Sequence, residues 1–328
     1  MTEILAFTGP RTSTSRSQAG LTLVETMIAM AIGLVIVAAL SAVFVGSSHS
    51  RREVQASADT IENGRYATDL LARELSAAGF LGTLVNPIGT TVAICSTDVS
   101  VWADSLAVHA VGLNNGDADP ACLARKAGTD AIFVQRASTC AVGEPNCEVE
   151  SAANAYLQVS ECGSEYGVTP SVLATGADPS AFTLKTKDCA GAIAAKRKLI
   201  RRAYYVSTGD VLSYVDLGLG GPSSAVPLVE NVEQLQFSYA FDKDADGTAE
   251  CFASTLAGCA GAEWPQVVGV RLWLLARSES ASRNAAAAVQ FEMDDTTVDV
   301  VASTSGNLKR RVYTTYVPFV TPKSRREQ

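Results

Sequence analysis

Histidine is nearly missing from this 328-residue chain, which has only His49 and His109. None of its eight cysteines stands in a Cys-x-x-Cys pair, so a zinc centre of the usual thiolate and imidazole kind is not expected. Neither histidine has a Gly-x-Ser-x-Gly or similar motif to work with, which leaves hydrolase chemistry without residues, and no enzymatic activity is expected. Gly218-Leu219-Gly220-Gly221 neither leads from a strand into a helix nor carries a P-loop lysine, so nucleotide binding lacks its cradle. Cations are outnumbered, 26 Lys and Arg against 34 Asp and Glu, giving a net charge of −8 and a pI near 4.9. Phosphate backbones demand clustered cations, so nucleic acid is not expected as a partner.

Long apolar runs are absent as well, with one exception at Gly20 to Gly46, GLTLVETMIAMAIGLVIVAALSAVFVG, where the sole charge is Glu25. From Thr26 onward the uncharged part makes a helix of about 31 Å, enough for a hydrocarbon core of about 30 Å. A carboxylate just inside such a run costs a few kcal/mol unless it is paired. The small residues Ala19-Gly20 precede the run, whereas a secretory signal places its small-residue cleavage site after the apolar core. Cutting after Gly20 would keep the helix and free an α-amino group on Leu21. That amine lies one helical turn from Glu25, so in a bundle the carboxylate of one subunit can meet the amine of its neighbour. The plainer alternative is a single-pass anchor with Glu25 at the headgroups.

Beyond Gly46 the pattern turns amphipathic. Val54, Ala58, Ile61, Leu70, Leu71, Leu75 and Ala78 recur near helical spacing, and Gly79 supplies a stop. A nearly continuous helix is therefore expected from Leu21 to Ala78, with Gly33, Gly46 and Gly64 as places where it could bend. Strand alternation follows at Asp130–Arg136, Ala155–Ser160, Ile200–Val206 with its return at Val211–Leu217, Val232–Phe241, Pro265–Ala276 and Arg311–Val320. The expected fold class is α+β: a long N-terminal helix packed on a largely antiparallel sheet whose loops are stapled by disulfides. Residues 81–198 are the least legible stretch.

All eight cysteines, Cys95, Cys122, Cys140, Cys147, Cys162, Cys189, Cys251 and Cys259, lie beyond the apolar run. An even count suggests disulfides and an oxidising compartment such as the bacterial periplasm. Cys140 with Cys147 and Cys251 with Cys259 are the local candidates, and the pairing of the other four stays open.

One constellation reads as a cation site. Asp242, Asp244 and Asp246 with Gly247 occupy positions 1, 3, 5 and 6 of an EF-hand-like loop, and Glu250 stands at position 9. Ala253 takes the place of the bidentate glutamate at position 12, so calcium would need other groups to complete its shell. The blander reading is a solvated Asp-Gly turn. Lys196-Arg197-Lys198 with Arg201 and Arg202 reads as a solvated strand edge rather than a docking site.

Gly20-Leu21-Thr22-Leu23-Val24-Glu25 resembles the class III signal of type IV pilins and type II secretion pseudopilins, with Leu21 in place of the usual phenylalanine. The segments Asn63-Gly64-Arg65-Tyr66-Ala67, Leu70-Leu71-Ala72-Arg73-Glu74-Leu75, Pro227 to Glu233 and Val267 to Arg271 are similar to PilW-like minor type IV pilins. The resemblance implies a pilin-like fold with a leader at 1–20, a membrane and assembly helix at 21–46, an amphipathic helix at 47–80 and a β-rich head at 81–328. It implies cleavage after Gly20 by a prepilin peptidase, N-methylation of Leu21 and an assembly role for Glu25. The expected partners are other minor pilins, the major pilin, the inner membrane and a tip adhesin. The expected location is the inner membrane with a periplasmic head, then the pilus tip. A minor pseudopilin of a type II secretion system and an anchored periplasmic binding module are the alternatives.

Overall fold

The computed structural model describes residues 20, 22–282, 288–293, 296–301 and 307–322. Residues 1–19 of the expected leader, and Leu21, lie outside the described residues. Helix α1 runs over Leu23–Ser76, and the chain divides into a unit ending at Val54 and a head beginning at Gln55. In the first unit the apolar side chains of α1 face outward: Leu23, Met30, Leu34, Val43 and Phe44 are all largely exposed. A helix that is oily on every side and unburied within its own chain needs lipid or other helices around it.

In the head, α1 buries Ala56, Thr60, Gly64, Ala67, Thr68, Leu71 and Leu75. Of the face expected from hydropathy, Leu71, Leu75 and Ala78 are buried as expected, and the first half is corrected, because Val54, Ala58 and Ile61 are exposed. The buried stripe is small rather than oily over its first half. Its smallness is required at Gly64, where a Cβ would overlap the Tyr313 ring, whose hydroxyl donates to the Thr60 and Ile61 carbonyls at 3.3 Å. Gly64 is thus a close-approach residue and not a bend. The helix ends where Gly79 adopts a φ of +75° and its N–H donates to the Gln135 carbonyl at 2.9 Å, as the expected stop requires.

Among the described residues fourteen strands follow: β1 (Ala110–Leu113), β2 (Ala131–Ala141), β3 (Ala155–Val159), β4 (Ser171–Thr175), β5 (Lys196–Val206), β6 (Val211–Gly218), β7 (Gly221–Pro222), β8 (Val226–Glu230), β9 (Val232–Phe241), β10 (Cys251–Ala253), β11 (Val267–Ala281), β12 (Ala288–Met293), β13 (Thr296–Val301) and β14 (Leu308–Pro318). They form an eight-stranded sheet built on β5, a four-stranded sheet in the order β10-β9-β11-β14, and the β12–β13 hairpin, with every pair antiparallel. The head therefore has two principal sheets where the sequence suggests one. Strand β5 pairs with β2 along one edge, and with β3 and then β6 along the other.

The main core joins Ala67, Leu71 and Leu75 of α1 to Ile132 and Val134 of β2, Tyr204 of β5, Leu235, Phe237 and Tyr239 of β9, and Val270, Leu272 and Leu274 of β11. The alternation read in β9 and β11 is thus the alternation of that core. An ionic cluster pins the last turns of α1 to the larger sheet. Glu74 accepts from the Tyr204 hydroxyl at 2.9 Å and faces Arg202 at 3.5 Å and Arg136 at 3.7 Å. Arg202 also meets Asp216 at 2.7 Å and lies 4.4 Å from the Tyr214 ring centroid. Burial, reinforced by Glu74, pushes the Tyr204 phenol up, so it remains a donor at any physiological pH.

The basic run is a spine and not a solvated edge, because β5 has partners on both sides. Lys196 pairs with Glu150 at 2.5 Å and Lys198 with Glu148 at 2.8 Å. Arg197 donates to the Ser138 and Thr139 carbonyls. Arg201 is buried against Trp102 and Phe133, donates to the carbonyls of Ala93, Ile94 and Ser96, and is drawn down to about 10 by desolvation.

Candidate functional site

The residues singled out for function fall in two places, the amino-terminal end of α1 and the loop between β9 and β10. Gly20 is exposed ahead of α1, and Glu25 stands in the helix's first turn, also exposed. The turn is organised locally: the Glu25 N–H donates to the Thr22 hydroxyl at 3.3 Å, and the Thr26 hydroxyl donates to the Leu23 carbonyl at 2.8 Å. A negative side chain there complements the positive end of the helix dipole. Among the described residues no side chain pairs with the Glu25 carboxylate. By length and composition the same helix can cross a membrane. Leu21, which would carry the new amine, is outside the described residues.

In the second place, Asp242, Asp244, Asp246 and Glu250 each offer a carboxylate oxygen within 4.8 Å of the others. That spread suits one calcium with ligands at about 2.3–2.6 Å, whose opposite ligands lie about 5 Å apart. The loop is also held by its own backbone. Asp242 is buried and accepts from the N–H groups of Ala245 and Gly247 at 2.7 and 2.9 Å. Asp246 accepts from Thr248 N–H and Glu250 from Lys243 N–H, both at 2.6 Å. Local desolvation, with the neighbouring charges of Asp246 and Glu250, pushes the Asp244 carboxyl up. Crowded carboxylates relax when a cation joins them.

All eight cysteines are paired: Cys95–Cys122, Cys140–Cys147, Cys162–Cys189 and Cys251–Cys259. Both local candidates form, and the open four resolve into two crosslinks of sequence separation 27. Each of those removes about 3.5 kcal/mol of loop entropy from the unfolded chain on the entropic model. They fasten the long loops of residues 81–198, where hydrophobic patterning is sparse. The Cys251–Cys259 bond closes the segment directly after the acidic loop.

Sequence reasoning misses the Glu74 cluster, because along the chain Glu74 is one polar residue of an amphipathic helix among many. Only the fold brings it to Arg136, Arg202 and Tyr204.

Comparison with known proteins adds two family matches. Residues 192–320 match the family described as type IV pilus-assembly protein W, and residues 15–41 match the prokaryotic N-terminal methylation motif. Among solved structures, a type IV-like pilin from Thermus thermophilus is similar at 12% identity and a TM-score of 0.35, over 80% of this chain and 97% of that one. No curated protein matches the chain in sequence.

Proposed function

Since this chain is a type IV pilin-family protein carrying a PilW domain over residues 192–320, we propose that it serves as a minor pilin, joining other minor pilins in the complex that forms the pilus tip and primes polymerisation of the major subunit. The observation that carries the reading is Glu25, exposed and without a side-chain partner among the described residues, in the first turn of a helix oily on all sides and inside the matched methylation motif. Before assembly the helix waits in the inner membrane with the head in the periplasm. On assembly it moves into a bundle, where Glu25 takes the α-amino group of a neighbour and sets the axial register. A tip adhesin is a further partner in this reading, and catalysis has no part in it.

Processing gives the first test. Prepilin peptidase is proposed to cut after Gly20, with methylation of the new Leu21 terminus. Gly20→Val is expected to leave the leader in place, so that the intact mass of the membrane-extracted protein corresponds to the full-length chain. A mature Leu21 terminus from that variant would remove the assigned cleavage site.

The acidic loop is proposed to hold calcium weakly. The fit of four oxygens supports this, while the missing twelfth-position ligand keeps affinity in the millimolar range of extracellular modules. At ten times Kd, calcium should stabilise the head by about 1.4 kcal/mol, seen as a rise in Tm that Asp244→Asn abolishes and magnesium does not reproduce. An unchanged Tm at about 10 mM calcium, roughly ten times the upper end of that range, would reject the site.

A further inference from the structure

The outer face of the four-stranded sheet, turned away from the core, is only partly covered. At one end the β12–β13 hairpin lays Met293 and Phe291 against Leu275, Trp273 and Val312. Farther along, the face is open. Phe252 of β10 and Tyr316 of β14 are 44% and 43% exposed, with ring centroids 5.9 Å apart in an edge arrangement. Arg271 of β11, the register partner of Tyr316, is exposed beside them, its guanidinium 5.0 Å from the Phe252 centroid and 5.9 Å from that of Trp273. Gly269, two residues earlier, makes room for this platform, since a Cβ there would collide with the Tyr316 hydroxyl. A glycine inside a strand gives up backbone order and a packing side chain.

Charge distinguishes this patch from an ordinary apolar face. The chain carries a net charge of −8, yet among the described residues no carboxylate pairs with Arg271. Arg202, Arg277 and Arg310 each have one, at 2.7, 3.0 and 2.6 Å. A guanidinium oriented by two rings, flanked by a half-exposed phenylalanine and tyrosine, has the make-up of an interface hot spot. Its uncompensated positive charge selects the partner's sign.

We propose that the Phe252–Arg271–Tyr316 platform docks an acidic segment of a co-assembling subunit, with one carboxylate on Arg271 and an apolar side chain against the exposed outer surface of the two touching rings. The choice of a subunit as the partner rests on the assembly reading above; the surface and the chemistry it selects do not. The test uses the full chain in its host membrane, with a photo-crosslinking benzoylphenylalanine in place of the exposed Thr314. Irradiation should give an adduct whose linked peptide, identified by mass spectrometry, belongs to another pilus subunit and contains Asp or Glu. Arg271→Glu should reduce the adduct at least about tenfold, and an acidic-to-Arg exchange in the linked peptide should restore it. Unchanged mobility on a non-reducing gel checks that the variant still folds, and Arg271→Gln provides a milder second variant. No adduct, an adduct to lipid or to a second copy of this chain, or an adduct indifferent to both Arg271 variants would overturn the proposal. An acidic adduct from a protein outside the pilus machinery would keep the docking surface and count against the assembly reading.

Discussion

Glu25→Ala is expected to leave the protein inserted and folded while surface pili fall by more than about tenfold. The reason is solvation. A carboxylate at the start of an apolar span costs a few kcal/mol unless something neutralises it, and among the described residues no side chain does so. The head's own anchoring cluster, Glu74 with Arg136, Arg202 and Tyr204, does not involve Glu25, so the substitution leaves it intact. On the proposed assembly role, what the substitution would remove is the pair with a neighbouring subunit's amine. Truncating one member of a desolvated charge pair typically costs about 2–5 kcal/mol, roughly 30-fold or more in an equilibrium. Pilus counts by electron microscopy read the effect, and the non-reduced gel mobility of the disulfide-bonded head checks folding. Wild-type pilus numbers would strip Glu25 of its assembly role.

The amino-terminal end is legible because its signal is compositional. One apolar run, one acid and two small residues ahead of it are visible without any knowledge of packing. The strands β9 and β11 are legible for a related reason: Leu235, Phe237 and Tyr239, like Val270, Leu272 and Leu274, alternate because one side of each strand meets the main core. Strand β5 misleads for the opposite reason. Its charges suggest solvent, yet the cations are matched one by one by Glu148, Glu150, Asp216 and backbone carbonyls that arrive from distant parts of the chain. Pairing of that kind leaves no local trace. Residues 81–198 resist reading because their order comes from two crosslinks of sequence separation 27 and short strands such as β3 and β4 rather than from periodicity.

Hydropathy misreads the buried face of the helix because it ranks side chains by oiliness, whereas this contact selects them by size, and that difference gives the second large prediction. In an ordinary exposed helix, Gly→Ala stabilises by about 1 kcal/mol. At Gly64 the sign should reverse, because the added methyl overlaps a Tyr313 ring whose hydroxyl is held by the Thr60 and Ile61 carbonyls. Overpacking of this sort costs about 1–3 kcal/mol, and Gly64→Leu should sit at or beyond the upper end. Removing the ring removes the penalty: in a Tyr313→Ala background, Gly64→Ala should become neutral or stabilising. Thermal unfolding of the detergent-solubilised full chain measures all four corners of that cycle. A higher Tm for Gly64→Ala with Tyr313 present would mean that the ring swings aside at no cost, and that the glycine is not there to admit the sheet.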